Sequence, residues 1–262
     1  MPGENLHEPQ DWPDDAVSDR LIGDWHVWQR RGGHRTGTDD VLTAWFAAWR
    51  FGSVPARYLD LGCGIGSVLL MTAHRLRPTL CTGVEAQPQS VRMARRAVAE
   101  LPSGAPVFTI IHRDFREFVR GKDDPACDLI TGSPPYFPVS SGVLPADPQR
   151  RACRFEIRGG IEGYCETAAR WLTPTGRFYF VFQTTWNQRV LDAVAAAGLH
   201  LYARVDAKMR EGRPDPFLTV YEVGLRASAA PVASFEVTIR TADGEITEEY
   251  MAARRELGVQ AG

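Results

Sequence analysis

The sequence predicts an α/β fold in which a mostly parallel sheet is covered by helices on both faces. Three observations predict it. From residue 57 to about residue 198, short apolar runs alternate with segments of helical apolar spacing. The runs are nearly continuous in apolar residues, as strands buried on both faces require. A glycine-rich segment, DLGCGIGS (60–67), joins the first run to the first helix, where open α/β sheets hold their ligands.

The elements follow in order. Residues 1–19 are polar, acidic and proline-containing, which predicts a flexible arm. RLIGDWHVWQRR (20–31) alternates apolar and polar residues around Gly23-Asp24 and reads as a hairpin, ended by Gly32-Gly33. TDDVLTAWFAAW (38–49) opens with a cap residue and two acids and continues with helical spacing. RYLDL (57–61), TLCTGVE (79–85), VFTIIH (107–112) and CDLITG (127–132) are strands. Helices follow them at 67–76, 88–101 and 114–120 and, after an irregular arginine-bearing segment, at 159–172. RFYFVFQ (177–183) is a strand and NQRVLDAVAAAG (187–198) a helix. LHLYARVD (199–206) and FLTVYEVGL (217–225) are strands joined by a polar loop, which predicts one antiparallel edge strand in a seven-stranded sheet. FEVTI (235–239) and EEYMAARREL (248–257) close a single domain over 20–257, with the hairpin and first helix as its 20–50 portion and a tail at 258–262.

Composition narrows the function classes. Of 262 residues, 44% are apolar and 24% charged, as in an ordinary globular domain. No apolar run approaches the roughly 18–20 residues of a membrane span. The acidic N-terminal segment lacks the basic-then-apolar order of an export signal, so the expected location is the cytoplasm. Cys63, Cys81, Cys127, Cys153 and Cys165 are scattered without a Cys-x-x-Cys pair, and neither a disulfide framework nor a metal site is expected. The net charge of −2 gives no overall basic field, although Lys122 and Lys208 are the only lysines beside many arginines. A monomer is expected.

The candidate site is assembled from strand ends. Asp60, Gly62, Gly64 and Gly66 form the first loop, where glycine lets a backbone approach a ligand closely. Their spacing departs from the dinucleotide fingerprint. Glu85 ends the second strand and is placed to accept both hydroxyls of a ribose. Asp114 follows the third strand and is placed to accept an adenine amino group, with Phe115 packing on the base. The ordered set describes a nucleoside site without a pyrophosphate cradle, which favours S-adenosylmethionine over a nicotinamide dinucleotide. Ser133-Pro134-Pro135-Tyr136 leaves the fourth strand beside it. The exocyclic nitrogen of adenine is a poor nucleophile, because its lone pair is delocalised into the ring. A hydroxyl acceptor and a rigid carbonyl before proline hold its hydrogens, and Tyr136 offers a face to an extruded base.

These residues resemble those of the class I S-adenosylmethionine-dependent methyltransferases, and among them the amino-group methyltransferases with an Asn/Asp/Ser-Pro-Pro-Tyr motif. The pattern is most similar to bacterial tRNA (adenine-N6) methyltransferases that modify the adenine beside the anticodon of valine tRNA. The resemblance spans about residues 20–257 and is carried by RTGTDDVLTA (35–44), LDLGCGIGSV, GVEAQP, SPPYF and FEVTIRTADGEITEEYMAARREL. It implies a Rossmann-like fold, with Thr38 and Asp39 near the methionine end of the cofactor. It also implies a cofactor loop of Asp60, Gly62, Gly64 and Gly66, a ribose on Glu85, and adenine on Asp114 and Phe115. Ser133, Pro134, Pro135 and Tyr136 would address the target amine. Ser133 stands where close relatives carry Asn, which keeps the reaction class and leaves the substrate open. The implied partner is RNA, expected to be tRNA, with phosphate contacts from Arg30, Arg31 and Arg35 and from Arg150, Arg151, Arg154 and Arg158. Two other readings stay open: the same chemistry on a protein glutamine side chain or another planar amine, and a non-catalytic RNA-binding or assembly factor on the same fold.

Overall fold

The computed structural model describes residues 12–259. It opens with the two-stranded hairpin β1 (Ala16–Ile22) and β2 (Trp25–Arg30), turned at Gly23 with φ 55°. Trp25 packs edge-on against His74 and Phe108, and Trp28 Nε1 donates to Glu100 Oε2 at 2.7 Å. These contacts clamp the hairpin to the helical layer. Strand β1 starts inside the segment expected to be a loose arm. Asp15 explains it, accepting from Arg30 Nε at 2.8 Å and from the Gly32 amide at 3.0 Å, which draws the chain onto β2. Residues 1–11 of that arm and 260–262 of the tail lie outside the described residues.

The main body runs α1 (Thr38–Phe51), β3 (Arg57–Leu61), α2 (Ser67–Leu76), β4 (Leu80–Glu85), α3 (Pro88–Ala99), β5 (Val107–His112) and β6 (Cys127–Gly132). It continues with α4 (Pro148–Arg154), α5 (Ile161–Trp171), β7 (Leu172–Gln183), α6 (Asn187–Ala196), β8 (His200–Lys208), β9 (Leu218–Gly224), β10 (Ala233–Thr238) and α7 (Glu248–Leu257). The sheet order is β10-β8-β9-β7-β6-β3-β4-β5. It has eight strands where seven were expected, because β10 pairs in parallel with β8 and becomes the edge. The antiparallel strand is internal: β9 lies between β7 and β8 and runs against both. Its burial at every position suits that place. The segment expected as a helix over 114–120 is a single 3-10 turn, Phe115–Glu117, held by Asp114 accepting from the Arg116 amide at 3.0 Å. The arginine-bearing segment expected to be irregular contains α4, started by Pro148 behind Asp147, whose carboxylate accepts from the Arg150 amide at 2.8 Å.

Strand alternation divides the core into two layers. Tyr179 and Val181 of β7 join Leu42 and Phe46 of α1 and the apolar faces of α2 and α7. Phe178, Phe180 and Phe182 join Ile161 and Ala168 of α5 and Val190 of α6. Each fully buried phenylalanine is worth about 1.5–3 kcal/mol, so β7 anchors both faces. The chain leaves β3 toward β4 and β5, then returns to place β6 on the other side of β3. The carboxyl ends of β3 and β6 therefore flank the topological switch point, where such sheets open a ligand crevice.

Candidate active site

A cavity opens at that switch point. The glycine loop after β3 forms its floor. Gly62, Gly64 and Gly66 have φ of 64°, 56° and 93°, a region unfavourable to other residues. A side chain on Gly62 would collide with the Tyr164 hydroxyl, whereas one on Gly64 would meet nothing within 4 Å. The loop thus packs tightly below and leaves its upper surface open to a ligand. Gly66 caps α2 and does not itself line the cavity.

The carboxylates around this floor differ in their pairing. Asp60 is buried at the end of β3, where Oδ1 accepts from Thr131 Oγ1 at 2.7 Å. Thr131 in turn receives the Tyr58 hydroxyl at 2.7 Å. Asp60 Oδ2 has no hydrogen-bond partner among the described residues. Burial pushes its pKa up to about 7, with help from Asp40 and Glu85 and against the Thr131 bond and the Leu69 amide, which lies near the carboxylate without completing a hydrogen bond of ordinary geometry to Oδ2. Glu85 accepts the Gly64 amide at 2.9 Å and the Gln87 amide at 2.6 Å, which orients the carboxylate along the cavity. Its pKa is raised, chiefly by burial. Asp114 is paired with Arg116 through bonds of 3.0 and 2.7 Å, and that partner holds its pKa below the ordinary value. Phe115 is buried behind it, its ring centroid 4.2 Å from that of Tyr164.

Ser133 to Tyr136 line the same cavity as the glycine loop. Ser133 Oγ is buried and finds no hydrogen-bond partner among the described residues. The Tyr136 hydroxyl donates to Asp39 Oδ2 at 3.0 Å, and its ring stands edge-on to Phe182 with centroids 5.6 Å apart. Burial, followed by the Asp39 charge, raises the Tyr136 pKa well above its ordinary value, so the phenol stays protonated. Asp39 and Asp40 arrive on the first turn of α1, and Asp40 Oδ2 accepts the Gly37 amide at 3.0 Å. Burial and the neighbouring Asp39 push the Asp40 pKa well up.

The cavity thus collects Asp39, Asp60, Gly62, Gly64, Glu85, Asp114, Phe115 and the whole of Ser133 to Tyr136. Thr38 is placed elsewhere: it lies beside the Tyr250 side chain and lines a separate depression. Sequence reasoning missed His34, Cys153 and Tyr164, which also line the cavity. Tyr164 sits on the buried face of α5 with no local motif. His34 and Cys153 meet only because α4 folds over the hairpin, where Arg30 Nη1 reaches Asp147 at 2.6 Å. Arg158, expected at an RNA surface, lines the cavity too.

The remaining arginines divide. Arg30 is neutralised by Asp15 and Asp147, and Arg35 by Asp19 at 3.0 Å. Arg151 donates to the carbonyl oxygens of Pro145 at 2.9 Å and Ala146 at 3.3 Å, bracing the loop before α4. Arg31, Arg150 and Arg154 are exposed. Among the described residues no group of three or more His, Cys, Asp or Glu side chains is arranged to hold a metal ion, and no helix is long and apolar enough to cross a membrane.

S-adenosylmethionine fits these residues on two structural grounds. The unpartnered Asp60 Oδ2 offers an acceptor for the positively charged end of that molecule. The bare surface of Gly64 beside the oriented Glu85 carboxylate leaves room and acceptors for its nucleoside.

No protein-family model matches the chain. Among curated relatives, a protein of Tolumonas auensis named tRNA1(Val) (adenine(37)-N6)-methyltransferase is 27% identical over 229 residues, covering 87% of this chain and 91% of the relative. A Citrobacter koseri protein of the same name is 29% identical over 180 residues, covering 68% and 71%. One from Bacteroides fragilis is 26% identical over 188 residues, covering 72% and 76%. Among solved structures, a predicted O-methyltransferase from Agrobacterium tumefaciens superposes with a TM-score of 0.57 at 17% identity, over 86% of this chain and 99% of that one. TYW2 of M. jannaschii, in complex with AdoMet, gives 0.53 at 12% identity over 81% and 87%. The chain therefore has the Rossmann-like methyltransferase fold, and its sequence is similar over most of its length to proteins named tRNA1(Val) (adenine(37)-N6)-methyltransferase.

Proposed function

We propose that this protein is an S-adenosylmethionine-dependent methyltransferase acting on the exocyclic N6 amine of an adenine in tRNA, in the cytoplasm. The observation that carries the reading is the buried, unpartnered Ser133 hydroxyl, which shares one cavity with Asp60, Gly64 and Glu85. A polar atom buried without a partner costs stability unless a ligand satisfies it. The name shared by the relatives makes adenine 37 of valine tRNA the first substrate to test.

S-adenosylmethionine supplies an electrophilic methyl group on a positively charged sulfur. The protein supplies position and polarity. Ser133 Oγ and the Pro134 carbonyl accept hydrogen bonds from the amine, hold its nitrogen in line and let positive charge build there during attack. The prolines lock the backbone, so that little reorganisation accompanies the reaction. Tyr136, steadied by Asp39 and Phe182, presents a ring for the extruded base. After transfer the amine loses one proton to water.

The test is purified protein with methyl-labelled donor, offered total tRNA and total cell protein in parallel. Label is expected in tRNA, recovered as N6-methyladenosine on digestion. Label entering only protein overturns the RNA assignment in favour of a side-chain amide, and no label in either fraction overturns the enzyme assignment.

The exposed Arg150 and Arg154 belong to α4, whose Ala152 and Cys153 line the cavity, and they suit an RNA backbone. Arg150→Ala with Arg154→Ala is expected to weaken tRNA binding and to lower the salt slope by about 2. A binding titration across a salt series checks this. An unchanged slope would exclude these side chains as phosphate contacts. Arg151→Ala is expected to act mainly through loop stability, because its guanidinium is already bound to backbone carbonyls.

A further inference from the structure

The cavity is strongly uneven in charge. Asp39, Asp40, Asp60, Glu85 and Asp114 line it, against two lining side chains among the described residues able to carry positive charge, His34 and Arg158. S-adenosylmethionine bears a carboxylate as well as an amino group and a sulfonium. In a pocket of carboxylates that anionic end needs a cationic or N–H partner. Arg158 acts at the nucleoside end, where its charge bears on Glu85 and Asp114. His34 lies beside Asp39 of α1, whose neighbour Asp40 bears on Asp60, and has Cys153 and Arg154 of α4 as its other charged and titratable neighbours.

The backbone and side chain of His34 are both held. Its amide donates to Gln149 Oε1 at 3.3 Å, and Gln149, 2% exposed, donates to Ser90 Oγ at 3.0 Å. Gly33 must be glycine for this approach, since a Cβ there would run into Gln149 Oε1 and the Arg30 side chain. The imidazole meets the Cys153 sulfur, which also accepts from Gln87 Nε2 at 3.6 Å. Two residues on, Thr36 Oγ1 and Ser67 Oγ are 2.8 Å apart, which seats this segment on the first turn of α2. Burial works against charge on the ring, but Cys153 and Asp39 outweigh it and raise the pKa above the ordinary value.

We propose that His34 receives the carboxylate of the methionine portion of the cofactor as an imidazolium, an assignment that rests on the methyl-donor reading above. The segment 30–37 and α4 then serve a second purpose beyond covering the cavity: they deliver a cation that can balance the amino-acid end of the ligand.

Two ligands that differ at that end test it. S-adenosylhomocysteine carries the amino-acid group, whereas 5′-methylthioadenosine keeps the nucleoside and sulfur and lacks it. Calorimetry at pH 6.5 compares the wild type with His34→Ala and His34→Lys. His34→Ala is expected to lose about tenfold or more in affinity for S-adenosylhomocysteine, the scale of one charge-assisted hydrogen bond. Its affinity for 5′-methylthioadenosine should stay within about twofold, since no uniform loss of binding is involved. His34→Lys is expected to restore S-adenosylhomocysteine binding, because it returns a cation to the same place. Equal loss for both ligands without rescue by lysine would overturn the assignment and make His34 a structural support. Unchanged S-adenosylhomocysteine affinity in His34→Ala would overturn it as well. A wild-type protein that binds neither ligand would instead overturn the methyl-donor reading, and this assignment with it.

Discussion

Replacing Tyr136 by alanine is expected to lower methyl transfer to tRNA by roughly 10–100-fold while leaving S-adenosylhomocysteine affinity nearly unchanged. Stacking a base on an aromatic ring is worth roughly 1–3 kcal/mol, and here the ring is preorganised. Its hydroxyl is tied to Asp39 and its edge rests on Phe182. Tyr136→Phe separates the two roles. It keeps the stacking face and removes only the bond to Asp39, so most of the activity should survive at a cost of about 1 kcal/mol in stability. Single-turnover assays with labelled donor, set beside calorimetry, check both variants. If cofactor affinity collapses in Tyr136→Ala, the ring is a pillar of the cofactor cavity and not a platform for the base.

Asp60→Asn is expected to make the cofactor-free protein more stable and the cofactor-bound protein weaker. The carboxylate is buried and one oxygen is unpartnered, so its folded pKa is raised to about 7. An unfolded aspartate titrates near about 3.9. The folded state therefore favours the protonated form. That contribution to stability is fully present below about 4 and is lost as pH rises through about 7. At pH 8 the buried charge costs up to about 4 kcal/mol, and asparagine removes that cost while still accepting from Thr131. Melting curves at pH 8 without ligand should show a higher Tm for the variant.

The same charge is what a sulfonium or ammonium group would meet. The Asp60 contribution to wild-type affinity should therefore fall as pH drops below about 7, by no more than about tenfold per unit. Comparing wild type with Asp60→Asn by calorimetry at pH 6 and 8 isolates that contribution. A variant that binds S-adenosylhomocysteine as tightly as wild type would exclude Asp60 from contact with the positively charged end.

The parts of this protein legible in the sequence are those whose cause is local. Strand–helix alternation from β3 to α6 follows from side-chain periodicity, and the hairpin turn at Gly23 from backbone freedom. Asp60, Glu85, Asp114 and Ser133 were readable because parallel strands aligned in one sheet bring all their carboxyl ends to the same edge. The short helix α4 was readable in principle from Asp147-Pro148, but seven residues carry little periodic signal.

What pairing and packing decide at long range was not legible. An apolar strand does not encode its neighbour, so the internal place of β9 and the docking of β10 on β8 emerge only when the sheet assembles. Thr38 is one residue from Asp39, yet the turn of α1 points it at Tyr250, away from the cavity. Arg30 and Arg35 looked free until Asp15, Asp19 and Asp147 were placed beside them. His34 joined the cavity only through α4, 115 residues away in sequence at the Gln149 contact. By itself the sequence determined the chemistry available at the sheet edge, because strand ends and glycine turns are local consequences of residue type. Tertiary structure alone decided which charges are cancelled, which polar atoms are left waiting and which cation enters the cavity. Those outcomes depend on distances between segments remote in the chain, which local propensity does not encode.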